Sequence, residues 1–125
     1  PTGCIEQHGP HLPLDCDCGS VAPFVERAHR EHGVRALLLP VVPYGPAPEH
    51  MSFSGTISIS YETWLHYVGE ILDSLLHHGF RRILLLRGCG GHFGLETVVY
   101  ERWTAQRREG RDVIMEIAPI FAGMP

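Results

Sequence analysis

The chain has no lysine: all ten basic side chains are Arg, set against fourteen Asp and Glu, for a net charge of −4 with His neutral. That balance argues against a nucleic-acid partner, which calls for a basic face. It also removes the lysine that a Walker-type phosphate loop requires. The all-Arg usage reflects genome composition and carries no function. Long apolar runs are missing as well. The longest, Ala36 to Pro43 and Ile83 to Leu86, are strand-sized, well short of the roughly 20 residues that cross a bilayer. Repeats, low-complexity tracts and linkers are absent, and the 44% hydrophobic content is that of an ordinary folded chain. Four cysteines (Cys4, Cys16, Cys18, Cys89) make no disulfide framework, since two stand only two positions apart. The expectation is an intracellular, cytoplasmic protein. No signal peptide is visible, although a start at Pro1 rather than Met leaves room for a removed targeting segment. The 125 residues suit one domain, 1–125, with a single core.

What is present concentrates in Glu6-Gln7-His8-Gly9-Pro10-His11-Leu12-Pro13-Leu14-Asp15-Cys16-Asp17. Twelve residues supply carboxylates at 6, 15 and 17 and imidazoles at 8 and 11, while Gly9, Pro10 and Pro13 forbid regular structure. Carboxylate oxygens and neutral imidazole nitrogens are what zinc or manganese prefers. Alternation along an extended segment sends Glu6 and His8 to one side, and Asp17 approaches from a helix entrance. The bland reading makes Asp17 a helix cap in an ordinary turn. The reading preferred is half of a metal site in which a shared carboxylate holds two ions roughly 3.5–4 Å apart. His11 has either a direct role or a hydrogen bond to backbone. Of the nine histidines, His29, His32, His66, His77 and His78 lie on or at the ends of helical patterns and read as solvated surface.

Ser20 to Glu31 reads as a helix, with Ser20 as N-cap, Pro23 in its first turn and Gly33 at its end. Arg35 to Val42 is a continuous apolar run, the pattern of a strand buried on both faces. Thr56 to Ser60 is a short β-like piece. Tyr61 to His78 places Trp64, Val68, Ile71, Leu72, Leu75 and Leu76 at helical spacing, with Ser60 as cap and Gly79 as stop. Arg82 to Leu86 reads as a buried strand, residues 92–109 as a helix and Asp112 to Ala118 as a last strand. Alternating strands and helices imply an α/β fold of three αβα layers around a mainly parallel sheet. Ligands then bind at the carboxyl ends of the strands, where both the Glu6 loop and the Cys89 turn lie.

Gly88-Cys89-Gly90-Gly91-His92 lacks the G-x-G-x-x-G spacing of a dinucleotide turn. Cys89 is open to three readings: a buried apolar residue, a nucleophile, or a third metal ligand facing Glu6. Glu49 and His50, in the irregular segment Pro43 to Gly55, either contact substrate or cap a turn. Cys16 and Cys18 read as small packing residues.

These motifs resemble the creatininase (creatinine amidohydrolase) family. Glu6 to Leu14 with Asp17 matches its first segment. Tyr44-Gly45, Glu49-His50, Phe53 and Gly55-Thr56-Ile57-Ser58 match its second, and His78-Gly79-Phe80-Arg81-Arg82-Ile83 leads into its third. The resemblance implies a metal-dependent amidohydrolase, usually oligomeric, whose binuclear zinc or manganese centre opens a cyclic or linear amide C–N bond. Glu6 would hold one metal, His8 the other, and Asp17 would bridge them. His11 and His50 would contribute to catalysis, and Glu49, His50, Gly90 and Gly91 would contact a small amide substrate. The family's Asn-Gly-His-Gly-Gly-Asn turn reads Arg87-Gly88-Cys89-Gly90-Gly91-His92 here. Cys89 therefore stands for a ligating His, with His92 as the alternative ligand, and a thiolate shifts preference toward zinc. Ala47 replaces a common Ser, and the family's later Gly-His-Ala-Gly segment is not among these 125 residues. A fragment is expected, or a reduced homologue that self-associates. A non-catalytic binding or assembly module keeping at most one metal is the alternative function, and a Cys89-nucleophile hydrolase a third.

Overall fold

The computed structural model describes residues 1–33 and 35–120. Its elements are α1 (Cys16–His32), a 3₁₀ turn (Pro48–His50), α2 (Tyr61–His77), β1 (Arg82–Arg87), α3 (Leu95–Arg108) and β2 (Ile114–Pro119). β1 and β2 pair in parallel, in register from Arg82↔Ile114 to Arg87↔Pro119. Thr2 adds single parallel bridges to Arg87 and to Val42. The first residues therefore lie between β1 and the segment ending at Val42, and the α/β expectation with a parallel sheet holds.

Two apolar layers flank that sheet. Trp64, Val68 and Leu72 of α2 and Leu95, Val98 and Val99 of α3 close over Ile83, Leu85, Met115 and Ile117. On the other side Val21 and Val25 of α1 and Ile120 pack with Leu38, Val41 and Leu86. Alternation along β1 explains the division, since odd and even positions face opposite layers. Fully burying one such side chain is worth roughly 1.5–3 kcal/mol. Helix α2 runs as its pattern predicts: Ser60 Oγ accepts from Thr63 N at 3.1 Å, and Gly79 turns the chain out at φ +90°. Among the described residues, no helix is long and apolar enough to cross a membrane.

Three sequence expectations are corrected. Residues 35–42 are not a strand buried on both faces: among the described residues the backbone pairs only near Val42, and Leu37 is 67% exposed. Pro40 removes a donor from the middle of the run, and only Leu38 and Val41 meet α1 and its neighbours. The first helix starts at Cys16 rather than Ser20, with Asp15 at its N-cap and Pro23 inside it. Asp17 thereby stands in the first helical turn and is buried. The third helix starts at Leu95 rather than His92, because Gly94, at φ +83°, ends a preceding turn. That turn drives His92 into the core instead of along a helix face.

Candidate metal centre

Four pieces of backbone converge at the carboxyl end of the sheet: the extended residues 2–8, the first turn of α1, the turn after β1, and the 3₁₀ turn. Thr2, Cys4, Glu6 and His8 follow one another at a spacing of two, so an extended backbone turns all four side chains to one side. Thr2, Cys4 and Glu6 are buried, as are Asp17, Cys89 and His92. Ligating atoms of Cys4, Glu6, Asp17 and Cys89 lie within 4.8 Å of one another, and so do those of Cys4, Cys89 and His92. Cys89 Sγ is 3.7 Å from both Glu6 carboxylate oxygens and accepts from Gly91 N at 3.4 Å.

Hydrogen bonding fixes how the imidazoles are presented. His8 Nδ1 lies 3.0 Å from the Glu6 carbonyl, an acceptor only, so Nδ1 carries a proton and, in the neutral ring, Nε2 presents its lone pair. That Nε2 is 3.1 Å from Asp17 Oδ1 and 4.0 Å from Glu6 Oε1. A lone pair facing a carboxylate is repulsive unless a cation sits between them or the ring is protonated. A ring N–H held by a backbone carbonyl is also the usual support of a metal-binding His. Gln7 Oε1 accepts from Gly9 N at 2.9 Å, so its amide nitrogen donates to His50 Nδ1 at 2.8 Å. His50 in its neutral form therefore points Nε2–H at Glu6 Oε1, 3.8 Å away. It is arranged as a donor over the site and not as a ligand.

Asp17 Oδ2 is buried and has no hydrogen-bond partner among the described residues. A buried carboxylate oxygen left alone costs several kcal/mol unless something positive completes it. Burial and the neighbouring Asp17 push the Glu6 carboxyl upward, partly offset by His50 and His8. Two carboxylates crowded together out of water are the donor set of a divalent cation site. The residues present fit such an ion.

Of the other expected residues, Glu49 is exposed, with its Oε1 beside the position a Gly91 Cβ would take. Tyr61 donates to the Gly91 carbonyl at 3.1 Å, and Gly90 is exposed. His11 is exposed. Cys18 donates to the Cys4 carbonyl at 3.6 Å, and burial, with Asp17 and Asp15 adding to it, pushes its thiol up to about 11. It packs, as expected. The five helical histidines are all exposed. Cys4, Thr2 and Gln7 were not predicted. Carrying the alternation of Glu6 and His8 two and four residues back would have found Cys4 and Thr2, whereas Gln7 carried no such signal.

A family model described as Creatininase, creatinine amidohydrolase, matches residues 1–122. The mycofactocin precursor peptide peptidase of Mycobacterium ulcerans is 50% identical over 127 aligned residues, covering 90% of this chain and 46% of that protein. The creatinine amidohydrolase of Pseudomonas putida is 32% identical over 93 residues, 70% of this chain and 35% of that protein. A solved structure named Creatininase Mn superposes with a TM-score of 0.85 at 25% identity, over 97% of this chain and 49% of its own. The chain spans about half the length, 46%, of the peptidase it matches.

Proposed function

The chain belongs to the creatininase family, and from that premise we propose that it is a metal-dependent amidohydrolase acting on an amide C–N bond. The observation that carries the proposal is the pairing of His8 and Asp17. His8 Nε2 stands 3.1 Å from one carboxylate oxygen, and the other oxygen is buried without a partner among the described residues. The unpartnered buried oxygen is costly without an ion, and both features are ordinary around a divalent one. Glu6, His8, Asp17 and Cys89 are the proposed ligands, with His92 reached through the neighbouring cysteines. Zinc suits the thiol better than manganese does. Asp17 belongs both to the pair with His8 and to the group of Cys4, Glu6 and Cys89, which suits a bridging carboxylate in a binuclear site.

When bound, such ions supply Lewis-acid polarisation of the amide carbonyl and an activated water. The chain's own residues do the rest. His50, held by Gln7, aims a proton donor across the mouth of the site. Glu49, together with the Gly90–Gly91 turn pinned by Tyr61, forms the wall a substrate would meet. His11, on the exposed loop, is available only to a substrate reaching outward. Because the relative at 50% identity is a peptide peptidase, short linear peptides are the first substrates to screen, with creatinine as the cyclic comparison. A single domain, a cytoplasmic location and a homo-oligomer belong to the same reading. Exposed Leu84 on β1 and Ile114 on β2 are apolar positions that an oligomer would cover.

Elemental mass spectrometry on protein purified without chelator tests the proposal. Close to two divalent ions per chain are expected, and Asp17→Asn should lose at least one of them together with amide hydrolysis. Unchanged metal content in Asp17→Asn would overturn it. A second reading, a non-catalytic assembly or binding module with at most one metal, is favoured by one observation: Cys89 occupies the position where the family places a ligating His. One zinc per chain with no hydrolysis across a peptide and amide panel would select that reading.

A further inference from the structure

We propose that Cys4, Cys89 and His92 form a thiolate–imidazole subsite for a soft divalent ion such as zinc, adjoining the carboxylate–imidazole pocket of Glu6, His8 and Asp17. It rests on the reading above in that the two share Cys89 and Glu6, and it names the surroundings of one of the two ions proposed there.

All three side chains are buried, with Cys4 and His92 at 0% and Cys89 at 3% exposure, and their ligating atoms lie within 4.8 Å of one another. The ring of His92 is oriented independently of any ion. Thr2 Oγ1 donates to the Leu86 carbonyl at 3.4 Å and so accepts from His92 Nδ1 at 2.9 Å. Nε2 is left with its lone pair toward Cys4 Sγ, 3.0 Å away. Trp64, 4.2 Å from the ring centroid, backs the imidazole. This repeats the arrangement of His8: one nitrogen is tied back through its N–H, and the other presents a lone pair toward a candidate ligand. Cys89 Sγ, accepting from Gly91 N, has backbone support suited to a thiolate.

Bond lengths decide whether an ion fits. Tetrahedral zinc, with Zn–S near 2.3 Å and Zn–N or Zn–O near 2.1 Å, holds S and N or O about 3.6 Å apart. Cys89 Sγ already stands 3.7 Å from each Glu6 oxygen, so Glu6 is placed to be the fourth ligand. Cys4 and His92, at 3.0 Å, need to separate by only about half an ångström to reach that spacing. Two thiolates, an imidazole and one carboxylate form a set that selects zinc over manganese. The competing account is a buried S–H···N hydrogen bond with no ion.

Cobalt(II) titration of the metal-free chain, followed by absorption, separates the two. A near-ultraviolet thiolate-to-cobalt charge-transfer band with the intensity of two thiolates is expected. Cys4→Ser should lower that band by about half, and His92→Gln should keep it while weakening cobalt binding by roughly tenfold or more. Circular dichroism confirms that the variants fold. If Cys4→Ser does not fold, the wild-type intensity decides, and one thiolate's worth would overturn the subsite. Cobalt bound with no charge-transfer band would also overturn it, leaving the carboxylate pocket standing if Asp17→Asn then loses the ion. A full band in Asp17→Asn would keep the subsite, and an ion count in that variant unchanged from wild type would count against that pocket. No cobalt bound in any form would sink both.

Discussion

Replacing Gly45 by Ala would put a methyl group into contact with His92 Nε2 and 2.7 Å from its Cδ2. His92 is fully buried, tied to Thr2 at 2.9 Å and backed by Trp64, so it has nowhere to retreat. The overlap must be relieved by moving the ring or the backbone around Pro46. Overpacking of this kind costs about 1–3 kcal/mol. Pulling His92 off Thr2 or Cys4 adds about 1 kcal/mol for each hydrogen bond lost. The sum is about 3 kcal/mol, or a fall in Tm of roughly 10 °C for a domain of this size. Urea unfolding followed by circular dichroism reads it, and an unchanged m-value would place the effect in the native state. Gly19→Ala is the control. It lies within α1 with no atom within 4 Å of the added carbon, and helix propensity should stabilise the chain by about 0.5–1 kcal/mol. A Gly45→Ala variant within about 1 kcal/mol of wild type would refute the packing described for His92.

Other outcomes follow from the same geometry. Leu72→Ala opens a cavity between α2, α3 and the sheet and should cost about 2–5 kcal/mol in the same assay. Burial, with Arg87 nearby, holds the His92 imidazole down to about 4. The folded state therefore favours the neutral ring, and the unfolded chain binds a proton first as pH falls below about 6.5. Stability of the metal-free chain should be fully present above pH 6.5 and decline between about 6.5 and 4. The total loss is on the order of 3 kcal/mol, and His92→Gln should remove most of this slope in pH-dependent denaturation. The Asp17→Asn loss of metal, measured by elemental analysis, completes the set.

The elements most legible in the sequence were those whose information is local. Ser60, the 3.6-residue pattern and Gly79 were enough to place α2, because capping, periodicity and a left-handed stop each act within a turn or two. The apolar run at 35–42 misled because hydrophobicity alone cannot say which backbone stands beside it. Among the described residues it meets no backbone partner before Val42. The boundaries of α1 and α3 shifted for a different reason: tight local turns at 13–16 and at Gly94 set them, and no window average detects those.

The residues of the site divide in the same way. Glu6, His8 and Asp17 stand out as candidates in the chain because donor chemistry on a Gly- and Pro-shaped loop is itself a signal, while the match to the creatininase family extends over residues 1–122. Which atoms face one another was settled only by folding. The hydrogen bonds of Gln7 to His50 and of Thr2 to His92 choose the tautomers, and they join residues 43 and 90 positions apart. Cys4 joins Cys89 because Thr2 pairs beside Arg87 at the end of β1. Sequence determined which candidate donors the chain owns. The parallel pairing of its first residues against β1 decided which of them share a site, because only packing brings side chains so distant along the chain within coordination distance.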